Sequence, residues 1–272
     1  MFKIHTLKLG EILIPVGSGL IRDPIHAWLV TDGTTQILVD VGQPDVEQTR
    51  RLLGVEAVGG GPEALRAALA YYDARPEDIK LVIATHLHFD HAWNLDLFPT
   101  AKILVQRDEL FHAIDPVPTQ RIYYFRETTM SLLSRKRPQG LELVDGDKSL
   151  IPGIDLLKAP GHTPGMQVPV VTTDRGKVAL VSDLGDHYRN WFPDDPRATK
   201  SPMRFLAGSF LPGTIRSESE ATYQNSMAKV RAKSDIVVPS HDFRIPQNLP
   251  DDWFDVPDSI DGDLTHAHEG VV

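Results

Sequence analysis

The chain of 272 residues is 41% hydrophobic and 24% charged, carries a formal net charge of -9 and contains no cysteine. That length can bury a sizeable core as one large domain or two small ones, and no apolar run approaches the roughly eighteen residues of a membrane span. The acidic balance works against nucleic acid as a partner. Without cysteine there are no disulfides, thiolate ligands or cysteine nucleophile, so histidine and carboxylate are the strong ligands left.

The opening residues, Met1 to Thr6, lack the apolar stretch and cleavage site of a secretory signal, which predicts a cytoplasmic protein with no membrane partner. Ala27 to Thr31 and Gln36 to Val41 are apolar runs joined through Asp32-Gly33, the pattern of a β-hairpin. Pro62 suits a first helical turn, and Leu65, Leu69 and Tyr72 recur at helical spacing until Pro76 closes the segment. Leu81-Val82-Ile83-Ala84 reads as a buried strand that runs into a group of histidines, and Lys102 to Gln106 as another short strand. From about Arg107 to Leu133 the pattern is helix-like, interrupted by Pro116 and Pro118, which suggests a cap-like helical insertion over about 107–140. Its aromatics, Phe111, Tyr123, Tyr124 and Phe125, either pack in the core or line a pocket. Arg135, Lys136 and Arg137 beside Pro138 read as a solvated loop.

After Gly140 strands return: Leu141 to Val144, Ile154 to Ala159, Met166 to Thr173 and Lys177 to Ser182, the last two joined by Asp174-Arg175-Gly176. One long helix is expected over Ser217 to Lys233, with a serine and early glutamates at its start, followed by the buried strand Ile236 to Pro239. The acidic tail, about 251–272, reads as a poorly packed terminus. Both halves show strands, a helix and a further strand with no Ser/Gly-rich linker between them. This predicts a single α/β domain over 1–272, two sheets with helices outside.

The chemistry is concentrated in Thr85-His86-Leu87-His88-Phe89-Asp90-His91, which places three imidazoles and a carboxylate directly after an apolar strand. Extended backbone sends alternate side chains to one face, so His86, His88 and Asp90 are expected to converge, with His91 addressing a neighbouring metal as the chain turns into a helix. Unpaired imidazoles packed beside a carboxylate would otherwise carry uncompensated desolvation costs. His5, His26, His112, His266 and His268 occur singly and fit ordinary hydrogen-bonded roles. His162 lies in Pro160-Gly161-His162-Thr163-Pro164-Gly165, a tight loop between strands, while Asp183 and His241 each follow an apolar strand. Ligand groups at strand ends are where open α/β architectures build sites.

A His-x-His-x-Asp-His motif followed in order by a lone His, a lone Asp and a final His resembles the metallo-β-lactamase superfamily, over roughly Ala27 to Asp242. The resemblance implies an αββα sandwich, two mixed β-sheets flanked by helices, with the site between the sheets. It also implies that His86, His88 and His162 hold one metal ion, Asp90, His91 and His241 a second, and that Asp183 bridges them together with a hydroxide that attacks a carbonyl. Asp90 would hand a proton to the leaving group. Zinc is the expected metal, although an all-nitrogen-and-oxygen site also suits iron, manganese or cobalt.

Within the superfamily, Thr85 to Ala92, Ala159 to Gly165, Ser182-Asp183 and Ser240-His241-Asp242 are most similar to the acyl-homoserine-lactone lactonases. That likeness implies ring-opening of a lactone, as in quorum quenching, a small-molecule substrate and a homodimer. Those lactonases usually carry a tyrosine three residues after the bridging aspartate. Here that position is Asp186, and Tyr188 is the candidate substitute, with Arg189 and Trp191 beside it and Tyr124 and Phe125 as further candidates for the substrate pocket. A thioester hydrolase of the glyoxalase II type is an alternative, short of basic residues after His241. A mononuclear iron persulfide dioxygenase would leave the second trio unused, and a non-catalytic binding module would be expected to have lost a ligand.

Overall fold

The structure, a computed structural model, describes residues 1–245. The tail expected over 251–272 lies outside the described residues. Strands β1 (Lys3–Val16), β2 (Gly19–Thr31), β3 (Gln36–Val39), β4 (Glu56–Gly59), β5 (Leu81–Ile83), β6 (Lys102–Gln106) and β7 (Leu141–Val144) form one sheet, in the order β4-β1-β2-β3-β5-β6-β7. Strands β8 (Lys148–Ile151), β9 (Ile154–Lys158), β10 (Gln167–Thr173), β11 (Gly176–Ser182) and β12 (Ile236–Pro239) form the second, in the order β12-β11-β10-β9-β8. Both are mixed. The β1 to β3 meander is antiparallel, while β3, β5, β6 and β7 run parallel, and β12 lies parallel to β11 at the edge of an antiparallel sheet.

Trp28, Val39, Ile83 and Leu104 from the first sheet meet Leu156, Val171, Leu180 and Val238 from the second in a core between the sheets. On the outer face of the first sheet, Leu38, Val82 and Ile103 pack against helix α2 (Gly61–Ala70). Leu65 and Leu69 of that helix, one turn apart and fully buried, each contribute about 2 kcal/mol by leaving water. On the outer face of the second sheet, Val168, Ala179 and Val237 meet Tyr223, Met227 and Val230 of helix α7 (Glu220–Arg231). The layers are helix, sheet, sheet, helix, as the sequence resemblance implied.

The expected hairpin is present, with Thr31 paired to Gln36 and Asp32 Oδ1 accepting from the backbone of Thr34 and Thr35 across the turn. Elements without a sequence reading include the long strand β1, the short β4 and β8, and helix α1 (Val46–Leu53), which Asp45 caps by accepting from Gln48 N. The long helix begins later than expected. Ser219, not Ser217, is its cap, because the Ser217 amide is engaged with the Gly161 and His162 carbonyls. The 107–140 stretch divides at its prolines into α4 (Arg107–Ile114), a 3-10 turn (Pro118–Tyr123) and α5 (Arg126–Ser134). Among the described residues no helix is long and apolar enough to cross a membrane.

Candidate metal centre

Every ligand-type side chain singled out in the sequence sits just beyond the C-terminal end of a strand. His86 follows β5, His162 follows β9, Asp183 follows β11 and His241 follows β12, while His88, Asp90 and His91 lie on or beside the short helix α3 (Phe89–Ala92). The side chains form two sets, His86, His88, His162 and Asp183, and Asp90, His91, Asp183 and His241; within each set the ligand atoms lie within 4.8 Å of one another. Asp90 therefore joins His91 rather than His86 and His88. Strand alternation stops where α3 begins at Phe89, and the helical turn swings Asp90 to the other side.

Asp183 belongs to both sets because its two oxygens diverge. Oδ1 is 3.2 Å from Nε2 of both His91 and His241, and Oδ2 is 3.3 Å from His162 Nε2 and 3.9 Å from His86 Nε2. Its backbone is aimed by Ser182, which takes a left-handed conformation at φ 48, a strained choice for a side-chain-bearing residue. Asp40 is left-handed too, at φ 59. A shared buried network holds both: Asp40 Oδ2 accepts from Thr85 Oγ1 (2.8 Å) and lies 2.9 Å from His91 Nδ1, with Ser182 Oγ alongside Thr85.

Tautomers follow from these contacts. His162 Nδ1 donates to the Ile215 carbonyl (3.0 Å) and His241 Nδ1 to that of Pro24 (2.9 Å). His91 Nδ1 meets Asp40, and His86 Nδ1 gives its proton to Thr85 Oγ1 at 3.1 Å. In all four, the remote nitrogen is held by the protein and Nε2 is left facing the shared space, the arrangement by which outer partners orient metal-binding histidines. Nε2 of His86, His88 and His91 is buried without a hydrogen-bond partner among the described residues, and His88 Nδ1 faces His162 Nε2 at 3.0 Å. Orphaned nitrogens of this kind are costly to bury, and a cation would satisfy them. Imidazole and carboxylate donors suit zinc and other first-row divalent ions, so the residues fit the group.

Burial, reinforced by neighbouring imidazoles, holds His86 and His88 well below the usual histidine range, as neutral ligands require. At His91 and His241 burial acts in the same direction but carboxylates outweigh it. Asp183 and Asp90 raise His91, and Asp23 together with Asp183 and Asp90 lifts His241 to about 10.

A cavity of about 250 Å³ opens beside the two sets. Its apolar wall comes from Ile12 and Ile14 of β1, Leu53, Val55, Phe89, Ile122 and Ile215; its polar groups include Tyr123, Asp23, Asp186 and five of the ligand-type residues, His88, Asp90, His162, Asp183 and His241. Tyr123 lies with its ring 4.9 Å from that of His88. Asp186, at the position where the resemblance leads one to look for a tyrosine, does line this cavity.

Tyr188 does not. Its side chain is fully buried in the core between the sheets, because the chain turns at Gly185 (φ 88) and enters the short helix α6 (Tyr188–Trp191), which sends Tyr188 inward. The expected catalytic role is corrected on that geometry. Tyr188→Phe should keep kcat within about twofold of the parent, and a tenfold loss in a steady-state assay would return the residue to the mechanism. Trp191 donates to the Gly185 carbonyl at 2.9 Å in the outer core, and Arg189 is exposed, so neither lines the cavity. Tyr124 packs its ring against His88 from behind the cavity and donates to Glu109, while Phe125 supports the wall through Phe89 and Trp93. Of the single histidines, His26 is bonded to the Ser240 carbonyl, His112 to Gln120, and His5 stacks on Tyr72. His266 and His268 lie outside the described residues.

Asp40, Glu109 and Asp23 had no sequence reading. The one available signal was Asp40, an acid directly after the buried run Ile37 to Val39.

Comparison with known proteins gives the family and the fold. The family model of the metallo-beta-lactamase superfamily matches residues 20–241. The N-acyl homoserine lactonase of Bacillus cereus is 28% identical over 209 residues, 71% of this chain and 79% of the relative. Among solved structures, an N-acyl homoserine lactone hydrolase with the product N-hexanoyl-L-homoserine at its catalytic metal centre gives a TM-score of 0.66 at 23% identity, over 88% of this chain and 92% of its own. AidC, a dizinc quorum-quenching lactonase in complex with its product, gives 0.58 at 20% identity, over 82% and 74%. The two structural likenesses establish the fold, and the family match runs from β2 to the final histidine, through all seven ligand-type residues; the chain belongs to the metallo-beta-lactamase superfamily.

Proposed function

We propose that this protein is a dinuclear metal-dependent lactonase that opens neutral cyclic esters, with acyl homoserine lactones as the first class to test. In this reading His86, His88 and His162 hold one ion, Asp90, His91 and His241 hold the other, and Asp183 serves both. The observation that carries it is the split of Asp183 between two complete ligand sets beside an apolar-walled cavity. Zinc is the favoured metal, supported by the donor set and by the dizinc relative.

When bound, the ions would supply an acidified water as nucleophile and Lewis-acid polarisation of the ester carbonyl. The chain's own residues account for the remaining steps. Asp90 lines the cavity; it would take up the proton released as water adds to the carbonyl carbon and hand it to the ring oxygen as the carbon–oxygen bond breaks, leaving an alcohol and a carboxylate. Tyr123 supplies the phenol among the described residues lining the cavity; burial, then Asp90, raise its pKa, so the hydroxyl stays protonated and donates to the substrate carbonyl. Tyr123→Phe is expected to lower kcat/KM about tenfold, the worth of one hydrogen bond, with metal content unchanged. Unchanged kcat/KM would remove Tyr123 from this role.

No lysine or arginine is among the described residues lining the cavity, which weighs against the anionic thioesters of a glyoxalase II. The complete second set weighs against a mononuclear persulfide dioxygenase. The test is elemental analysis of purified protein combined with a panel of lactones, thioesters, phosphodiesters and a persulfide. Two equivalents of zinc with lactone turnover is the expected result; one iron with oxygen consumption would defeat the proposal. A homodimer and a cytoplasmic location belong to the same reading, and sedimentation at two protein concentrations tests the first.

A further inference from the structure

Glu109, in the first turn of α4, is fully buried. Its Oε1 accepts from the backbone N–H of Leu87 (2.9 Å) and from the hydroxyl of Tyr124 (2.8 Å), and its Oε2 accepts from the hydroxyl of Thr163 (2.6 Å). Leu87 stands between His86 and His88, and Thr163 follows His162. One carboxylate therefore joins both chain segments that carry the imidazoles of the first set. Through Tyr124 it also reaches the residue next to Tyr123, and both tyrosine rings pack on His88. The contact is tight, since a Cβ on Gly165 would sit 2.0 Å from the Glu109 backbone nitrogen.

We infer that Glu109 is a positioning residue that fixes the separation of the His86–His88 and His162 segments for metal binding, and anchors the tyrosine wall of the cavity to the same point. All three of its neighbours are donors, so the position needs an acceptor on both oxygens. A glutamine has the same shape but must turn an N–H toward either the Thr163 hydroxyl or the Leu87 and Tyr124 donors.

This inference rests on the two-ion reading. Glu109→Gln is tested by titrating the metal-free parent and variant with Co2+ against a competing chelator, following the cobalt absorption spectrum. The variant should hold the ion of the His86, His88 and His162 set about 10- to 100-fold more weakly, the usual effect of losing an outer partner, so that it keeps about one equivalent where the parent keeps two. If the metal-free variant melts at a lower temperature while cobalt affinity and spectrum match the parent, Glu109 is only structural and the inference is overturned. Should Glu109→Gln not fold, Tyr124→Phe removes a single donor to the same carboxylate; about threefold weaker cobalt binding supports the inference, and unchanged binding overturns it. A parent that takes up fewer than two equivalents sinks the two-ion reading and the inference together, whereas two equivalents in parent and variant alike, at equal affinity, sinks the inference alone.

Discussion

Asp183→Ala is expected to release both metal ions and abolish hydrolysis. Asp183 is the one residue common to the two ligand sets, and its oxygens face four imidazole nitrogens at 3.2 to 3.9 Å. It is also fixed from behind, since Ser240 donates to Oδ1 at 2.5 Å. Alanine leaves the first set with no carboxylate to balance a cation and the second with Asp90 alone. Replacing His162 or His241 removes a member of one set only, so those variants should retain part of their metal. Lewis-acid and nucleophile activation together are worth several kcal/mol, so the rate should fall by about a thousandfold or more. Elemental analysis after dialysis, with an initial-rate assay on the same sample, checks both halves. Two equivalents retained, with a rate within about tenfold of the parent, would mean that Asp183 is not shared as its geometry suggests.

The ligand set was legible in the sequence for a physical reason: the groups are chemically unusual where they stand. Three imidazoles and a carboxylate after an apolar strand have few structural explanations, and loop histidines flanked by Gly and Pro announce a fixed turn. The sheets were legible wherever a strand is buried on both faces, as with Leu81 to Ile83 and Ile236 to Pro239. Strand β1 was not, because a bulge between Lys8 and Gly10 interrupts its alternation and its last residues project into solvent.

The outer partners were hidden for a different reason. Asp40 ends a buried apolar run and Glu109 stands beside Asp108 in the first turn of a helix, and their partners lie far along the chain: Asp40 reaches His91 and Thr85, and Glu109 reaches Leu87 and Thr163. Only the closed fold brings these contacts together. The misplacement of Tyr188 has the same origin. Five positions beyond Asp183 is close in sequence, yet one positive-φ glycine and one short helix carry its ring away from the cavity and into the core between the sheets. Tyr123, from the insertion, lines the cavity instead; the aromatic content of that stretch pointed to a pocket there, but to the neighbouring Tyr124 and Phe125 as its lining.

Gly165→Ala is expected to be the most destabilising single-methyl change near the site. A methyl there would lie 2.0 Å from the backbone nitrogen of Glu109 and 2.4 Å from its Cα, so the clash is with main chain at the start of α4 and no rotamer relieves it. Gly33 makes a useful control: its φ of +92 is unfavourable for alanine, but nothing lies within 4 Å of the added carbon. Strain alone at Gly33 costs about 1 to 2 kcal/mol. Overpacking at Gly165 costs about 3 kcal/mol or more, because the His162 loop must lift from α4, which corresponds to a fall in Tm of about 6 to 12 °C. Lifting that loop also stretches the Thr163 to Glu109 bond, so the loss should be larger with metal bound than in metal-free protein, and Gly33→Ala should show no such difference. Calorimetry of both variants with and without zinc decides the matter. Equal losses at Gly165 in the two states would mean that the loop and the helix are held together for the fold alone and that the metal does not depend on their contact.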